Sequence, residues 1–415
     1  MPSSPSCGGR RTRCGQVRGR HVDPRRDRAG VGHVAVGGRV AEGPVTIVEP
    51  WAGDNDALAD EARSVLDGEI ERVDDLPHAT RTTATSRVVR VRTGDRSAVA
   101  KFISSGHDDP TWGGSRHPAH LRYWRREPDF YRVGVPAPFA EASIGAPALL
   151  GRFDRPGGIV LWLEDVGGTS GGRLGVGALA SASRRLGRAQ APYALGRAPV
   201  PALPLSTDAL FSQLRSWEDV GWDAVDDDEM WGQPLVERHF PPRLRQSLVR
   251  FGERRWEVLE ISRRLPQTIC HHDVWLNNLF ALGDRTVLVD WAFVGHGHLG
   301  CDAGNIVTDA CGDLLLPASL LPELDAAVTV AYTRGLADAG WTGDRRAVRL
   351  GICLMAAKWA WLVPHTLRRA ALGTHMVYGG GPAEADHLYA ERAAMLGYLS
   401  AMADEASALA RELGL

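Results

Sequence analysis

The sequence predicts an α+β chain of two lobes, a β-rich one followed by a mainly helical one. Three observations carry this expectation. Two pairs of β-rich runs joined by short turns precede residue 163, helical periodicity dominates from residue 165 onward, and one β-rich island interrupts it at 268–290. At 415 residues the chain is too long for one small core. Its 44% hydrophobic and 24% charged content is that of an ordinary soluble globular protein.

Residues 1–45 are rich in Gly, Arg, Pro and Ser and show no apolar periodicity, so they read as a disordered arm or a non-native extension with the natural start near Val45 or Val48. The β-rich lobe then covers 46–163. A helix is expected over Asp54–Asp67, with Leu58, Ala62 and Leu66 on one face. A polar loop of small residues spans Ala79–Ser86. Arg87–Arg92 and Ser97–Ile103 read as a hairpin around Thr93-Gly94-Asp95-Arg96. His117–Arg132 reads as helical, with Pro128 expected to break or restart it. A second hairpin joins Ala148–Phe153 to Ile159–Leu163.

The helical lobe covers 164–415. Helices are expected around 176–190, 207–220, 242–264, 318–337, 344–370 and 384–413. The island within it holds strands at Thr268–Cys270, Leu279–Leu282 and Thr286–Asp290, with Gly283-Asp284 as a turn.

The charge pattern narrows the function. Residues 1–45 hold nine arginines against Asp23, Asp27 and Glu42, so the net charge of −2 hides an acidic body. A nucleic-acid enzyme would show a basic body, and no nucleic-acid partner is expected. No stretch approaches the run of about 20 apolar residues that spans a bilayer, so no membrane partner is expected either. Six irregularly spaced cysteines without metal-ligand spacing point to reduced thiols in a cytoplasm.

The chemistry concentrates in His271-His272-Asp273-Val274-Trp275-Leu276-Asn277-Asn278, followed by Val287-Leu288-Val289-Asp290-Trp291. This is H-x-D-x-x-x-x-N, with a second Asp at the end of an apolar strand. Phosphoryl transfer needs these residue types, because the transferred group is highly charged and is neutralised by metal ions. Asn278 and Asp290 supply hard oxygen ligands suited to Mg²⁺. Asp273 orients an acceptor hydroxyl and takes its proton, and with His271 it makes the catalytic pair of the motif.

The block resembles the catalytic loop and metal-binding Asp of the aminoglycoside phosphotransferase and choline kinase family, which carries H-G-D-x-x-x-x-N, a strand ending in D-W or D-F, and then G-D-P-x-x-D-L-A. The chain departs from that pattern with His272 for Gly and with His298-Leu299 for Asp-Pro, but keeps Gly297 and Asp302. The resemblance implies a two-lobed protein-kinase-like fold, ATP (or GTP) and Mg²⁺ as cofactors, and a small-molecule hydroxyl acceptor. It makes Asp302 a structural support for the loop. It also aligns Lys101, in Val99-Ala100-Lys101, with the kinase lysine that contacts ATP phosphates. The chain contains only two lysines, Lys101 and Lys358, and Lys358 reads as an ordinary helix residue. Glu127 is the expected partner of Lys101, with an ordinary surface glutamate as the alternative. Leu163, Glu164 and Asp165 resemble the connector whose backbone meets adenine. Thr82, Thr83 and Ser86 sit where kinases carry a phosphate loop, or in a plain polar linker.

For the acceptor, Trp275 is a candidate wall. The acidic, aromatic stretch 217–231, represented by Asp223, either holds a cationic amine or is a solvated loop. Two other functions compete. One is an HD-type metal-dependent phosphohydrolase using His271-His272-Asp273 with His239, Asp290, His296 or His298. That site needs its doublet on a helix, whereas the local pattern here is strand and turn. The other is a non-catalytic nucleotide-binding protein, which no residue in the block favours.

Overall fold

The computed structural model describes residues 55–78, 84–105, 114–207, 209–215, 221–375, 377 and 383–415. The first part runs α1 (Asn55–Leu66), β1 (Arg72–Asp75), β2 (Thr85–Thr93), β3 (Arg96–Ser104), α2 (Arg126–Val133), α3 (Ala137–Glu141), β4 (Ile144–Gly145), β5 (Leu149–Arg155) and β6 (Gly158–Glu164). Among the described residues, five of these strands form one antiparallel sheet in the order β1-β2-β3-β6-β5. Period-two alternation divides its faces. Val89, Val91, Ala98, Ala100, Phe102, Val160 and Trp162 pack with Leu58, Ala62 and Leu66 of α1. Ile103, Ile159, Leu161 and Leu163 line the opposite face with Trp124 and Tyr131. Lys101 falls between Ala100 and Phe102, so alternation aims it at this second face.

The helix expected over His117–Arg132 begins only at Arg126, and the residues before it form turns. The cause is Arg126, wholly buried, whose guanidinium donates to the carbonyls of Pro118 (2.8 Å), His120 (2.7 Å), Leu121 (2.5 Å), Pro204 (2.6 Å) and Ala292 (3.0 Å). Three of those carbonyls lie upstream and turn inward to meet it, which a helix would forbid. Pro128 breaks nothing. It is the third residue of α2, where an N–H would have no intrahelical acceptor.

The second part runs β7 (Thr169–Ser170), α4 (Val176–Ala194), α5 (Ala209–Arg215), α6 (Asp223–Asp226), α7 (Asp228–Trp231), α8 (Pro234–His239), α9 (Pro242–Arg254), α10 (Glu257–Arg264), β8 (Gln267–Cys270), β9 (Leu279–Leu282), β10 (Arg285–Leu288), β11 (Gly295–His298), α11 (Cys301–Thr308), α12 (Leu321–Asp338), α13 (Arg345–Leu354), α14 (Leu362–Leu372) and α15 (Ala385–Leu413). Two small sheets, β4-β10-β9-β7 and β11-β8, hold the strands that flank Asp273, Asn278 and Asp290. The central helices α4 and α12 approach closely because Gly187 and Gly335 face the partner backbone. A Cβ would lie 2.3 Å from the Tyr332 carbonyl oxygen in one case and 2.0 Å from that of Arg184 in the other.

Two expected helices are each divided. The segment 242–264 breaks between α9 and α10, where the Arg255 guanidinium lies over the Trp222 ring at 3.9 Å and donates to the Gly252 carbonyl. The segment 344–370 breaks at a 3-10 turn, Met355–Trp359, which carries Lys358. The stretch Arg345–Leu372 is long and apolar enough to cross a bilayer, contrary to the sequence expectation, yet 72% of its apolar window is buried in this fold. β1, β4, β7 and β11 were absent from the sequence expectation; β4 and β7, at two residues each, are too short to display a period.

Candidate active site

The site is assembled on the β8–β9 connection. β8 ends at Cys270, the chain turns through His271–Trp275, and a 3-10 turn, Leu276–Asn278, leads into β9. His272 has φ of 67°, the left-handed conformation that glycine adopts most easily. This is the position where related motifs carry Gly. Asp302, in the first turn of α11, accepts the His271 N–H and the His272 N–H, each at 2.9 Å, and also the Gln190 amide at 2.8 Å. The His272 ring is buried and engages the His296 carbonyl at 2.9 Å and Cys301 Sγ at 3.5 Å. These contacts hold the imidazole in place of a bare glycine. Asp302→Ala leaves two buried N–H groups unpaired, at about 1–3 kcal/mol each. A lower melting temperature is expected, together with a greater loss of turnover than of nucleotide affinity. Asp302→Asn, which keeps one acceptor, should fall between.

His271 was expected to be catalytic, and the structure corrects this. Its Nε2 faces the Val289 carbonyl at 3.1 Å and its Nδ1 accepts the Asp273 N–H at 3.2 Å. Both ring nitrogens are therefore engaged by backbone. The ring packs edge-on against Trp291, and burial pushes its pKa down to about 3 against the pull of the Asp290 charge. His271 is a neutral brace between the residue before Asp290 and Asp273. Its folded pKa lies below the ordinary value of about 6.5. Its contribution to stability is therefore full above that value and declines as pH falls toward 3, by about 1.4 kcal/mol per pH unit. His271→Gln should show a flatter melting temperature between pH 7 and 5 than the wild type.

Around this brace the charged groups converge. Asn278 Nδ2 donates to the Asp273 carboxylate at 2.8 Å and to its carbonyl at 3.1 Å. Burial, then the neighbouring Asp290 charge, pushes Asp273 up to about 7. Asp290 follows β10 with φ of 61°. From the opposite sheet Lys101 Nζ reaches Asp290 Oδ1 at 2.9 Å and Glu127 Oε2 at 2.6 Å. Burial opposes the Lys101 ammonium, but two carboxylates outweigh it and hold its pKa above the ordinary value. Burial likewise opposes ionised Asp290, and Lys101 outweighs it, so Asp290 lies below the usual carboxylate range. Glu127, only 2% exposed, is raised by burial against the pull of Lys101.

The remaining expected residues are distributed differently. Leu163 is buried in β6 opposite Val99 and Leu149. The Glu164 carboxylate accepts the Ala148 N–H at 3.0 Å, and Asp165 binds Arg90 at 2.9 Å and Ser97 at 2.8 Å. With these side chains engaged, the backbone is what the connector offers a ligand. Thr82 and Thr83 lie outside the described residues, as do Trp217, Glu218 and Asp219 of the acidic stretch. Ser86 is corrected from loop to strand. It sits in β2 with Oγ 3.3 Å from the Phe102 carbonyl. Trp275, half-buried, leads into the 3-10 turn beside Asp273. Asp223 is corrected from the acceptor site to an exposed ion pair with Arg368 at 2.6 Å. Its neighbours are engaged too: Asp228 pairs with Arg245, and Asp227 caps α7.

Two histidines of the hydrolase alternative have partners of their own. His239 pairs with Asp386 at 3.1 Å and His298 faces the Gly351 carbonyl at 3.0 Å. The His271-His272-Asp273 run is a loop rather than a helix. Sequence reasoning missed Lys358, which binds Asp309 at 2.6 Å and Asn305 at 3.0 Å and acts through space on Asp273. The scarcity of lysine that singled out Lys101 was an equal signal for Lys358.

A β-sheet lobe that brings a buried Lys–Glu pair to an Asp of a helical lobe, beside an Asp–Asn loop, defines a phosphotransferase of the two-lobed, protein-kinase-like class. The phosphotransferase enzyme family model matches residues 81–346, well over half of the chain, and the protein belongs to that family. Among solved structures, a choline/ethanolamine kinase family protein from Mesorhizobium loti is 16% identical, covering 86% of this chain and 99% of that one at a TM-score of 0.49. A spectinomycin phosphotransferase in complex with ADP and spectinomycin is 10% identical, with 84% and 98% covered and a TM-score of 0.48. A choline kinase from Cryptosporidium parvum Iowa II is 13% identical, with 87% and 97% covered and a TM-score of 0.46. No curated protein matches the chain.

Proposed function

We propose that this phosphotransferase moves the γ-phosphoryl group of ATP, or GTP, to a hydroxyl of a small molecule. The observation that carries the reading is the position of Lys101, whose ammonium touches Glu127 at 2.6 Å and Asp290 at 2.9 Å. The pair with Glu127 aims a compact cation at the Asp290 side of the cleft, where a phosphate chain would need it. Asp273 holds the acceptor hydroxyl and takes its proton, and Asn278 fixes the carboxylate that does so. Mg²⁺ bound by Asn278 and Asp290 would supply charge neutralisation of the phosphates. The donor set fits, since both residues are hard oxygen donors and Asn278, with its amide nitrogen engaged by Asp273, keeps its carbonyl oxygen for the ion. Rate enhancement then comes from positioning and electrostatics.

The same reading puts the protein in the cytoplasm, with no nucleic-acid or membrane partner. Cys270, Cys301, Cys311 and Cys353 are buried free thiols, in keeping with a reducing compartment. The test is a nucleotide-consumption screen with Mg²⁺ across amino sugars, sugars, amino alcohols and hydroxy acids. Acceptor-dependent consumption that disappears in Asp273→Ala is the expected result. Consumption that persists in that variant counts against the reading.

A further inference from the structure

Polar side chains of α11 gather around Lys358, whose charge acts on Asp273. Asp302, Asn305 and Asp309 follow one another at three and four residues along α11 and its end, so they lie on one face. The first of them holds the catalytic loop. The other two anchor Lys358, whose ammonium donates to Asn305 Oδ1 at 3.0 Å and Asp309 Oδ2 at 2.6 Å. An ammonium has three N–H donors, so one is left. Asn305 is wholly buried, and its amide nitrogen has no hydrogen-bond partner.

The carboxylate here is not available to a cation. Asp309 Oδ2 is engaged by Lys358, and Oδ1 accepts from Trp359 Nε1 at 2.7 Å and from Thr308 at 3.0 Å. Unused capacity in the cluster consists of donors. Beyond it the wall continues in the same sense. Trp359 stacks on Trp361 at 5.7 Å, and Trp361 meets His365 edge-on at 5.3 Å. His365 feels the charges of Arg392 and Arg369. Trp361, His365 and Arg369 are spaced by four residues and share one face of the α14 segment. Asp313 offsets part of the Arg392 charge. With Asp273, on which Lys358 also acts, the cations Lys358, Arg369 and Arg392 are matched by Asp273, Asp309 and Asp313. A substrate ammonium entering at Lys358 would meet a like charge, and both oxygens of the carboxylate beside it, Asp309, are already engaged.

We infer that Lys358, with Asn305 and the Trp359–Trp361 wall, forms an acceptor subsite for a hydroxylated molecule bearing a carboxylate, rather than for a cationic amine. The inference deepens the phosphotransferase reading and rests on it only for the statement that the ligand is the acceptor. The remaining Lys358 N–H takes one carboxylate oxygen, and the indoles cover the carbon skeleton.

The test is calorimetric titration of the full chain, without nucleotide, with D-gluconate, D-glucose and choline. Gluconate is expected to bind about tenfold or more tighter than glucose, and choline not at all, as a hydrogen bond to a charged group warrants. Lys358→Met should lose about that tenfold, and Lys358→Arg should keep most of it. Because Lys358→Met leaves the Asp309 carboxylate bare, Lys358→Met combined with Asp309→Asn serves as a second variant with both charges removed. Choline binding as well as gluconate does, no gluconate binding, or an unchanged preference in the double variant overturns the subsite. Since the titration uses no ATP, a chain that binds gluconate but never consumes nucleotide sinks the phosphotransferase reading and leaves the subsite standing.

Discussion

Asp273→Ala is expected to lower phosphoryl transfer by about 10²–10⁴-fold, the range for loss of a positioned general base, while nucleotide affinity changes little. The asymmetry follows from where the carboxylate sits. Asp273 contacts Asn278 and the backbone brace of His271, whereas the groups that touch Lys101 are Glu127 and Asp290. The truncation leaves Asn278 its bond to the Asp273 carbonyl at 3.1 Å, so the loop keeps one of its two ties. Asp273→Asn is the sharper variant. It can still accept from Asn278 but cannot take a proton, so it should fold as the wild type does and turn over no faster than Asp273→Ala. A base must be ionised to act. With Asp273 pushed up to about 7 by burial and by Asp290, kcat/KM should rise as pH climbs through neutrality and level off above it. A flat profile from pH 5.5 to 8.5, or an active Asp273→Asn, would remove the carboxylate from the role of base.

Much of this arrangement is legible in the sequence because the chemistry needs fixed residue types in a short segment. His271 to Asp290 spans twenty positions that hold a base, two oxygen ligands and the hairpin returning one beside the other. The lobes are legible because strand and helix periods differ and each persists over many residues. What stayed hidden depends on contacts distant in sequence. The unwound segment before α2 exists because Arg126 gathers carbonyls from Pro118 to Ala292. The αL turn at His272 is held by Asp302, thirty residues on. Asp223 looked like a substrate ligand because Arg368, its partner, lies far along the chain. Lys358 was passed over for a related reason. It lies in an apolar helical stretch, and only the fold shows that a 3-10 turn breaks that stretch and brings the ammonium to Asp309.

Lys101→Ala should have the second large effect, and it should be seen twice. The first is catalytic. Without the ammonium, no basic side chain among the described residues of the β-sheet lobe touches Asp290, and the nucleotide KM rises while kcat falls. Arg does not restore it, because a planar guanidinium does not fit the compact contact with Glu127 at 2.6 Å. The second effect is on stability. Glu127 is 2% exposed and Asp290 also contacts the same ammonium, so removing it leaves two carboxylates facing each other with no counter-charge. Breaking a buried ion pair from one side costs about 3–5 kcal/mol. The two effects separate in a double variant. Lys101→Ala with Glu127→Gln removes one bare charge, so melting temperature should recover in part while turnover stays lost. They also separate by pH. In Lys101→Ala the Glu127 carboxyl, already raised by burial, loses the cation that opposed the rise. A carboxyl with a folded pKa above its unfolded one favours the folded state as pH falls. The stability deficit of Lys101→Ala should therefore narrow between pH 7.5 and 5.5 in thermal melts. A deficit that stayed constant over that range, with nucleotide kinetics unchanged, would mean that the Lys101–Glu127–Asp290 contact neither binds phosphate nor carries buried charge.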